Sequence, residues 1–308
     1  MTRNPIRLVS ALAAGMLAVG LTGCGSDNPI TPAGTTTAGA GAGAGAEIIV
    51  GSANFTENVL LAEIYAAALR STGANASVKP GIGTREVVVK ALQDKSLSLV
   101  PEYTGNLLAY LDKSAAQTDP EEVYEALKTK VPSGLTVLKM SSAQDSDVLT
   151  VTQQTAQQQN LSTLEDLGPK CGEFVLGAAG EWKQRWEAKI KELYGCTFKE
   201  IRTTDAGGPI TVEALKSGQV QVANLFTTLS AVKANNFVLL EDTKNMYPAQ
   251  NVVPFGRTDA LNDAGKAALD KVSGALTTEK LTDLVAAVEL QKKNPADVAA
   301  DFLKSAGF

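Results

Sequence analysis

LSLVPEYTGNLLAYL, residues 97–111, changes its period in the middle. Leu97, Leu99 and Val100 form a short apolar run that fits a buried strand. Pro101 cannot donate to a sheet ladder and is predicted to stop that strand. Glu102, Tyr103, Thr104 and Gly105 then read as a tight polar corner, and Asn106 to Leu111 resumes as an apolar helical turn. A strand that ends in an aromatic, a hydroxyl and a glycine before a helix is where open α/β sheets place ligands. A strand-to-helix loop whose tyrosine only packs is the equal alternative.

Upstream, Glu47 to Val50 reads as a first strand, followed by Gly51-Ser52-Ala53-Asn54-Phe55-Thr56-Glu57. Asn54 with Glu57 three residues on has the spacing of a capping box and opens a helix through Leu60, Ile64 and Ala68. The amides at that helix start, with the Ser52 hydroxyl, are placed either to face an anionic group or simply to cap the helix. Ala76 to Lys79 is a second strand, and Gly81 to Arg85 turns into a helix over Glu86 to Gln93. Strands and helices alternating in such short units predict parallel crossovers.

Downstream, Asp119 and Pro120 open a helix to Lys130, and Leu135 to Leu138 is a strand. Asp145 and Asp147 precede a strand over Val148 to Val151 and, two apart in an extended segment, point the same way. Calcium would need more oxygen donors than this pair, and a solvated turn is the alternative. From Leu161 the alternation restarts: strands over Glu173–Leu176, Thr197–Ile201, Gln219–Leu225 and Phe237–Leu240 are separated by helices over Ser162–Leu167, Glu181–Leu193 and Ile210–Lys216 and a short one near Ser230. Asn251 to Phe255 is extended, and helices follow over Asp263–Ser273, Glu279–Gln291 and Pro295–Ser305. Terminal helices after a second αβ unit predict that the chain returns to its first lobe. The crossings would lie near Asp147 and near Val252. Two lobes joined by two strands around a cleft describe a two-lobed, type II periplasmic-binding-protein-like α/β fold with a hinge.

Composition narrows the chemistry. The 308 residues contain no histidine, which removes Ser-His-Asp and Cys-His catalysis, histidine bases and most zinc sites. Neither a G-x-S-x-G, a P-loop nor a GxGxxG is present. Residues 1–23 carry Arg3 and Arg7 ahead of an apolar core from Leu8 to Leu21, the pattern of an export signal. Leu21-Thr22-Gly23-Cys24 resembles the bacterial lipobox, in which cleavage precedes a cysteine that receives diacylglycerol; a plain signal peptide is the alternative. Cleavage would remove two arginines and no acid, leaving 26 Lys and Arg against 33 Asp and Glu, a net charge of −7. An acidic chain without a basic run is not a nucleic-acid binder. Residues 24–46, rich in Gly, Ala and Thr, read as a flexible tether. Cys171 and Cys196, in an exported chain and each just ahead of a strand, are expected to form a disulfide rather than a metal site.

Four stretches then carry a family resemblance: Gly51 to Glu57; Gly83-Thr84-Arg85 leading into Val100-Pro101-Glu102-Tyr103-Thr104-Gly105; Glu181-Trp182 with Arg185; and Leu240-Glu241-Asp242 with Pro254. Over residues 47–308 the chain resembles the substrate-binding proteins of ABC importers for glycine betaine, carnitine and choline. In that family tyrosines surround a quaternary ammonium by cation–π attraction while basic or hydroxyl groups hold a carboxylate. By position, Tyr103 matches a cage tyrosine, Arg185 the arginine that reaches the carboxylate, and Asp145 a polar residue at the crossing. Ala53 stands where relatives usually carry lysine and Asn106 where they often carry threonine. Asp147, Thr211 and Phe226 fall where further cage tyrosines are expected.

The resemblance implies an extracytoplasmic solute-binding protein, not an enzyme and without a cofactor. It would deliver an osmoprotectant such as glycine betaine, carnitine or choline to the permease and ATPase of an ABC importer, anchored to the outer face of the cytoplasmic membrane by a lipid on Cys24. Because the cage is depleted, a non-quaternary ligand (hydroxylated, phenolic or amino-acid-like), taken up or sensed, is the alternative. An adhesin on the same two lobes and a carboxylate-dependent hydrolase or transferase are the other readings. The expected ligand-binding residues are Ser52, Asn54, Tyr103, Asn106, Asp145, Asp147, Arg185, Thr211 and Phe226. The expected divisions are 47–145 for the first part of lobe I, 146–250 for lobe II and 251–308 for the return to lobe I.

Overall fold

Strand β3 runs straight through Pro101. In the computed structural model, which describes residues 47–308, it spans Leu99–Tyr103 and is buried along its whole length. The expected stop fails because of what lies opposite: Pro101 pairs with Pro254 of an antiparallel neighbour. Facing prolines form a pair in which neither N–H is called on, so the ladder survives both. The outward carbonyls are used as well. Pro101 O accepts from Asn58 Nδ2 at 3.1 Å, and Pro254 O accepts from Leu138 N at 2.9 Å. The export signal, the lipobox cysteine Cys24 and the tether lie outside the described residues.

The first half of the chain gives β1 (Ile48–Gly51), α1 (Thr56–Ser71), β2 (Ala76–Lys79), α2 (Arg85–Gln93), β3, α3 (Thr104–Leu111), α4 (Pro120–Lys130) and β4 (Leu135–Val137). The second unit follows with β5 (Asp147–Val151), α5 (Gln153–Gln159), α6 (Leu164–Leu167), β6 (Val175–Ala178), α7 (Gly180–Tyr194), β7 (Glu200–Thr203), α8 (Pro209–Lys216), β8 (Val222–Phe226), α9 (Ser230–Ala234) and β9 (Val238–Leu239). It closes with β10 (Val252–Arg257), α10 (Asp263–Ala275), α11 (Thr278–Glu289) and α12 (Pro295–Ser305).

These strands make two five-stranded sheets, ordered β2-β1-β3-β10-β4 and β7-β6-β8-β5-β9. The predicted parallel pairing holds for β1 with β2 and β3, and for β6 with β7 and β8. In each sheet the fourth strand, β10 or β5, runs antiparallel to both neighbours. Those two strands follow the crossings, and reversed direction is what a chain arriving from the other lobe produces. Ahead of them the crossings pair with each other: Gln144 bridges Asn251, Asp145 N donates to Gln250 O at 3.2 Å and Val252 N to Ala143 O at 2.9 Å. This two-stranded ribbon is the hinge.

Both faces of each sheet are covered, as sheets with parallel crossovers require. Side chains of α1, α10, α11 and α12 share one apolar core with Val50, Leu99 and Val252. The C-terminal helices α10, α11 and α12 thus pack with α1 against the first sheet. Helices α2, α3 and α4 cover its other face.

In the second lobe β6, β7 and β8 begin two to three residues later than expected. Residues 168–173 form a 3₁₀ turn, and Lys199 N donates to the carbonyls of Cys171 and Phe174 at 3.2 and 3.0 Å. The approach to β6 and β7 is thus spent on a turn pinned by the Cys171–Cys196 disulfide, whose Cα atoms are 5.3 Å apart.

Candidate functional site

The Pro-Glu-Tyr-Thr-Gly segment contains no loop: Tyr103 ends β3 and Thr104 begins α3. Each residue has a separate task. Glu102, buried, accepts Arg85 Nε at 2.8 Å and Nη2 at 2.9 Å, and the Tyr103 amide at 3.0 Å. A bidentate guanidinium–carboxylate pair of this kind holds both side chains in one orientation. Thr104 clasps the returning crossing: its N–H donates to Asn251 O at 3.0 Å and its hydroxyl accepts Asn251 N at 3.0 Å. Gly105 lies so close beneath that crossing that a Cβ there would stand 2.5 Å from Ala249 O. The segment is thus a clasp on the hinge, while Glu102 holds the start of α2 and Tyr103 turns toward the start of α1.

Tyr103 Oη donates to Glu57 Oε1 at 2.7 Å. The expected capping box is therefore corrected. The N-cap of α1 is Phe55, without a side-chain hydrogen bond, and Asn54 is exposed one residue earlier. The Glu57 carboxyl is turned instead toward β3, where it accepts the Tyr103 hydroxyl. Phe55, 44 % exposed, lies over Tyr103 with ring centroids 6.1 Å apart and planes at 29°, leaving Tyr103 only 5 % exposed.

Two cavities meet at Phe55. One, about 450 Å³, is walled within the first lobe by Asn54, Phe55, Arg85, Glu102 and Tyr103 among others. The other, about 420 Å³, takes walls from both lobes: Phe55, Glu57 and Glu289 from the first, Phe226 and Thr228 from the second, with Asp145 at the crossing. Both volumes suit a small molecule. In the second cavity Thr228 Oγ1 donates to Asp145 Oδ1 at 2.7 Å, and Glu289 accepts Ser230 Oγ at 2.5 Å. Burial, then the neighbouring Asp145 carboxylate, raises the Glu57 carboxyl to about 8 against the lowering effect of hydrogen bonds from Thr228 and Tyr103. Burial foremost, relieved in part by the Thr228 hydroxyl, raises Asp145 to about 6.

Asp147, one step along the crossing, accepts Asn224 Nδ2 at 2.8 Å. Asn224 Oδ1 in turn accepts Trp182 Nε1 at 3.2 Å and Tyr247 Oη at 2.9 Å. Burial raises the Asp147 carboxyl, while Asn224 and the Arg185 charge pull it down. Arg185 itself is exposed on α7, its guanidinium 4.8 Å from the Trp186 ring centroid. Asp147 and Tyr247 line a third cavity, about 330 Å³, beside the hinge.

The expected ligand residues thus divide. Asp145 and Phe226 share the two-lobed cavity; Asn54 and Tyr103 share its neighbour. Asp147 lies beside the hinge, and the charge of Arg185, exposed on α7, lowers its carboxyl. Ser52 is buried in its turn, its hydroxyl donating to Ala53 O at 3.0 Å and accepting Gly81 N at 3.2 Å. The buried Thr211 hydroxyl is enclosed by Thr204 Oγ1, Asp205 O and Asp205 Oδ1 at 2.6–2.7 Å in the first turn of α8. Asn106 is exposed on α3, its N–H donating to Gln250 Oε1 at 2.9 Å. Phe55, Glu57, Thr228 and Glu289 were not expected in the site. Only Glu57 had a signal, its place beside an exposed aromatic at a helix start.

A cavity walled by two α/β lobes on a paired-strand hinge defines a solute-binding protein of the periplasmic-binding-protein type. The family model described as the substrate binding domain of ABC-type glycine betaine transport systems matches residues 46–305, and the chain belongs to that family. Over 276 residues it is 28% identical to the glycine betaine-binding protein YehZ of Escherichia coli (strain K12), covering 84% of this chain and 90% of that one. The structure of apo YehZ superposes with a TM-score of 0.74 over 85% of this chain and 99% of that chain. The carnitine transport binding protein OpuCC of Listeria monocytogenes serotype 1/2a (strain 10403S) is 25% identical over 267 residues, covering 83% and 86%. A glycine betaine/carnitine/choline ABC transporter crystal structure, 21% identical, has the same fold, with a TM-score of 0.78 over 84% of this chain and 98% of that one.

Proposed function

We propose that this chain captures a small osmoprotectant of the glycine betaine, carnitine and choline class in the two-lobed cavity and hands it, chemically unchanged, to the permease of an ABC importer. The observation that carries this reading is the composition of that cavity. Half-open phenyl rings, Phe55 and Phe226, stand with the carboxyl groups of Glu57, Asp145 and Glu289. Aromatic faces and carboxylates both attract an organic cation, the first at about 0.5–2 kcal/mol per well-placed ring. Acidic side chains here take over from cage tyrosines that the chain lacks. Relatives named for glycine betaine and carnitine support the ligand class. Arg185, near Asp147, is the candidate partner for a ligand carboxylate.

We further propose that Cys24 carries a diacylglycerol that holds the protein at the outer face of the cytoplasmic membrane. Intact-mass spectrometry of the protein from its native host is expected to show the lipid; an unmodified Cys24 would contradict it.

The two tryptophans suit a direct test of binding. Trp182 bonds to the Asn224 that holds Asp147, and Trp186 lies beneath Arg185. Titration with glycine betaine, carnitine and choline is expected to give a saturable change in tryptophan emission for at least one, with the solute recovered intact. No response to any of the three, alongside a response to a polyol, phenolic or uncharged solute, would replace this reading with the non-quaternary one.

A further inference from the structure

We infer that the cationic group of the solute is held by Glu57 and Asp145, contributed by the first lobe and by the hinge crossing, and that it enters in exchange for a proton carried by this pair. The inference rests on the function proposed above and identifies the residues and the regulation of that site.

The geometry comes first. Glu57 is 5 % exposed, yet its side chain lines the 420 Å³ cavity. Tyr103 donates to one of its oxygens, and Thr228, from the turn after β8 in the second lobe, donates to Asp145. Every ion pair among the described residues lies elsewhere: no Lys or Arg comes within 4.0 Å of Glu57, Asp145 or Glu289. A buried carboxylate pair without a counter-cation lowers its charge by keeping a proton.

Burial and the neighbouring carboxyl groups push in that direction, against the hydrogen bonds from Tyr103 and Thr228. From α1 comes Glu57 itself; from β3, the neutral Tyr103; from the crossing, Asp145 and then Asp147; from α11, Glu289. Arg185 and Glu181 of α7 act on Asp147, two residues beyond Asp145. With Glu57 titrating at about 8 and Asp145 at about 6, the empty pair carries one proton across the neutral range.

A quaternary ammonium entering between Phe55 and Phe226 changes the balance. Its fixed charge stabilises both carboxylates, so the acid O–H bond breaks and the proton passes to the solvent. A permanent cation has no proton of its own to give, which makes the released proton a direct count of this event. Affinity then rises with pH, approaching tenfold per unit between about pH 6 and 8, the limit for one released proton.

The test is isothermal titration of choline chloride and of glycine betaine into the protein between pH 6 and 8.5, in buffers of differing ionisation enthalpy. The expected result is up to one proton released per solute bound at pH 7, with affinity rising toward pH 8. Glu57→Gln, a neutral isostere of the protonated acid, is expected to lose the rise in affinity between pH 7 and 8.5 and to release no proton there, Asp145 being already ionised. Asp145→Asn is expected to move the rise in affinity to lower pH, because Glu57 loses the carboxylate that raises it while burial still does, and the proton count on the unsubstituted protein requires no variant to fold. Binding that is independent of pH and releases no proton overturns this inference while leaving the proposed function in place. Failure of choline, glycine betaine and carnitine to bind at any pH overturns the proposed function, and this inference with it.

Discussion

Tyr103 and Glu57, the last residue of β3 and the second of α1, each 5 % exposed, are joined by a 2.7 Å hydrogen bond. It ties the clasp on the hinge to the wall of the two-lobed cavity. The Thr104 and Gly105 contacts fix where the second crossing runs, and Tyr103 fixes where the Glu57 carboxyl stands relative to Asp145.

Tyr103→Phe keeps the ring beneath Phe55 and removes only the hydroxyl. Losing one donor to a buried carboxyl is expected to cost about 1–2 kcal/mol of stability. It should also raise the Glu57 carboxyl further, because the lost bond favoured the charged form. Urea unfolding checks the first effect, and the pH profile of choline binding, displaced upward, checks the second. Wild-type values in both would mean the bond does not position the carboxyl.

Stability should depend on pH through the same pair. Both carboxyls titrate higher in the folded chain than their ordinary values of 4.5 and 3.8, so the folded state holds the extra protons. Their contribution is fully present below those ordinary values and is lost as pH rises through about 6 and then about 8. Glu57→Gln removes the larger part of this loss. Without ligand, its melting temperature relative to wild type should climb steadily from pH 5 to pH 8.5 in scanning calorimetry. A difference that stays constant with pH would contradict the assignment.

Gly105→Ala tests the clasp. Its Cβ would stand 2.5 Å from a backbone oxygen of the second crossing, which cannot move without shifting the hinge. The expected cost is about 1–3 kcal/mol, the usual range for overpacking a tight site. Solute affinity should fall as well, because Asp145 N and Gln250 O are bonded across the same ribbon. A variant as stable as wild type would show that the crossing has room to spare.

Local signals in the sequence led to the right elements. Helix α4 begins at Pro120 because Asp119 accepts the Glu121 and Glu122 amides at 3.0 and 3.2 Å, an arrangement complete within four residues. What was not legible depended on partners far along the chain. Pro101 continues its strand opposite Pro254, and Glu57, in place of a helix cap, meets the hydroxyl of Tyr103 from a strand 46 residues on. Thr211 falls by position where the family carries a cage tyrosine, but its hydroxyl is absorbed by the Asp205 turn of its own segment. Glu289 left no mark at all. It reaches the cavity because α11 folds back on α1, and its carboxyl meets Ser230 of the opposite lobe.

The most direct measurement is calorimetric titration of choline, carnitine and glycine betaine into wild-type protein and Phe226→Ala side by side. Phe226 is half-buried at the end of β8 and walls the two-lobed cavity from the second lobe, outside the main cores. One equivalent of at least one of these solutes should bind the wild type, and the alanine variant should bind it roughly tenfold more weakly, the value of one lost cation–π wall of about 1–2 kcal/mol. Equal affinity for the two proteins would place the solute elsewhere and contradict the assignment of this cavity.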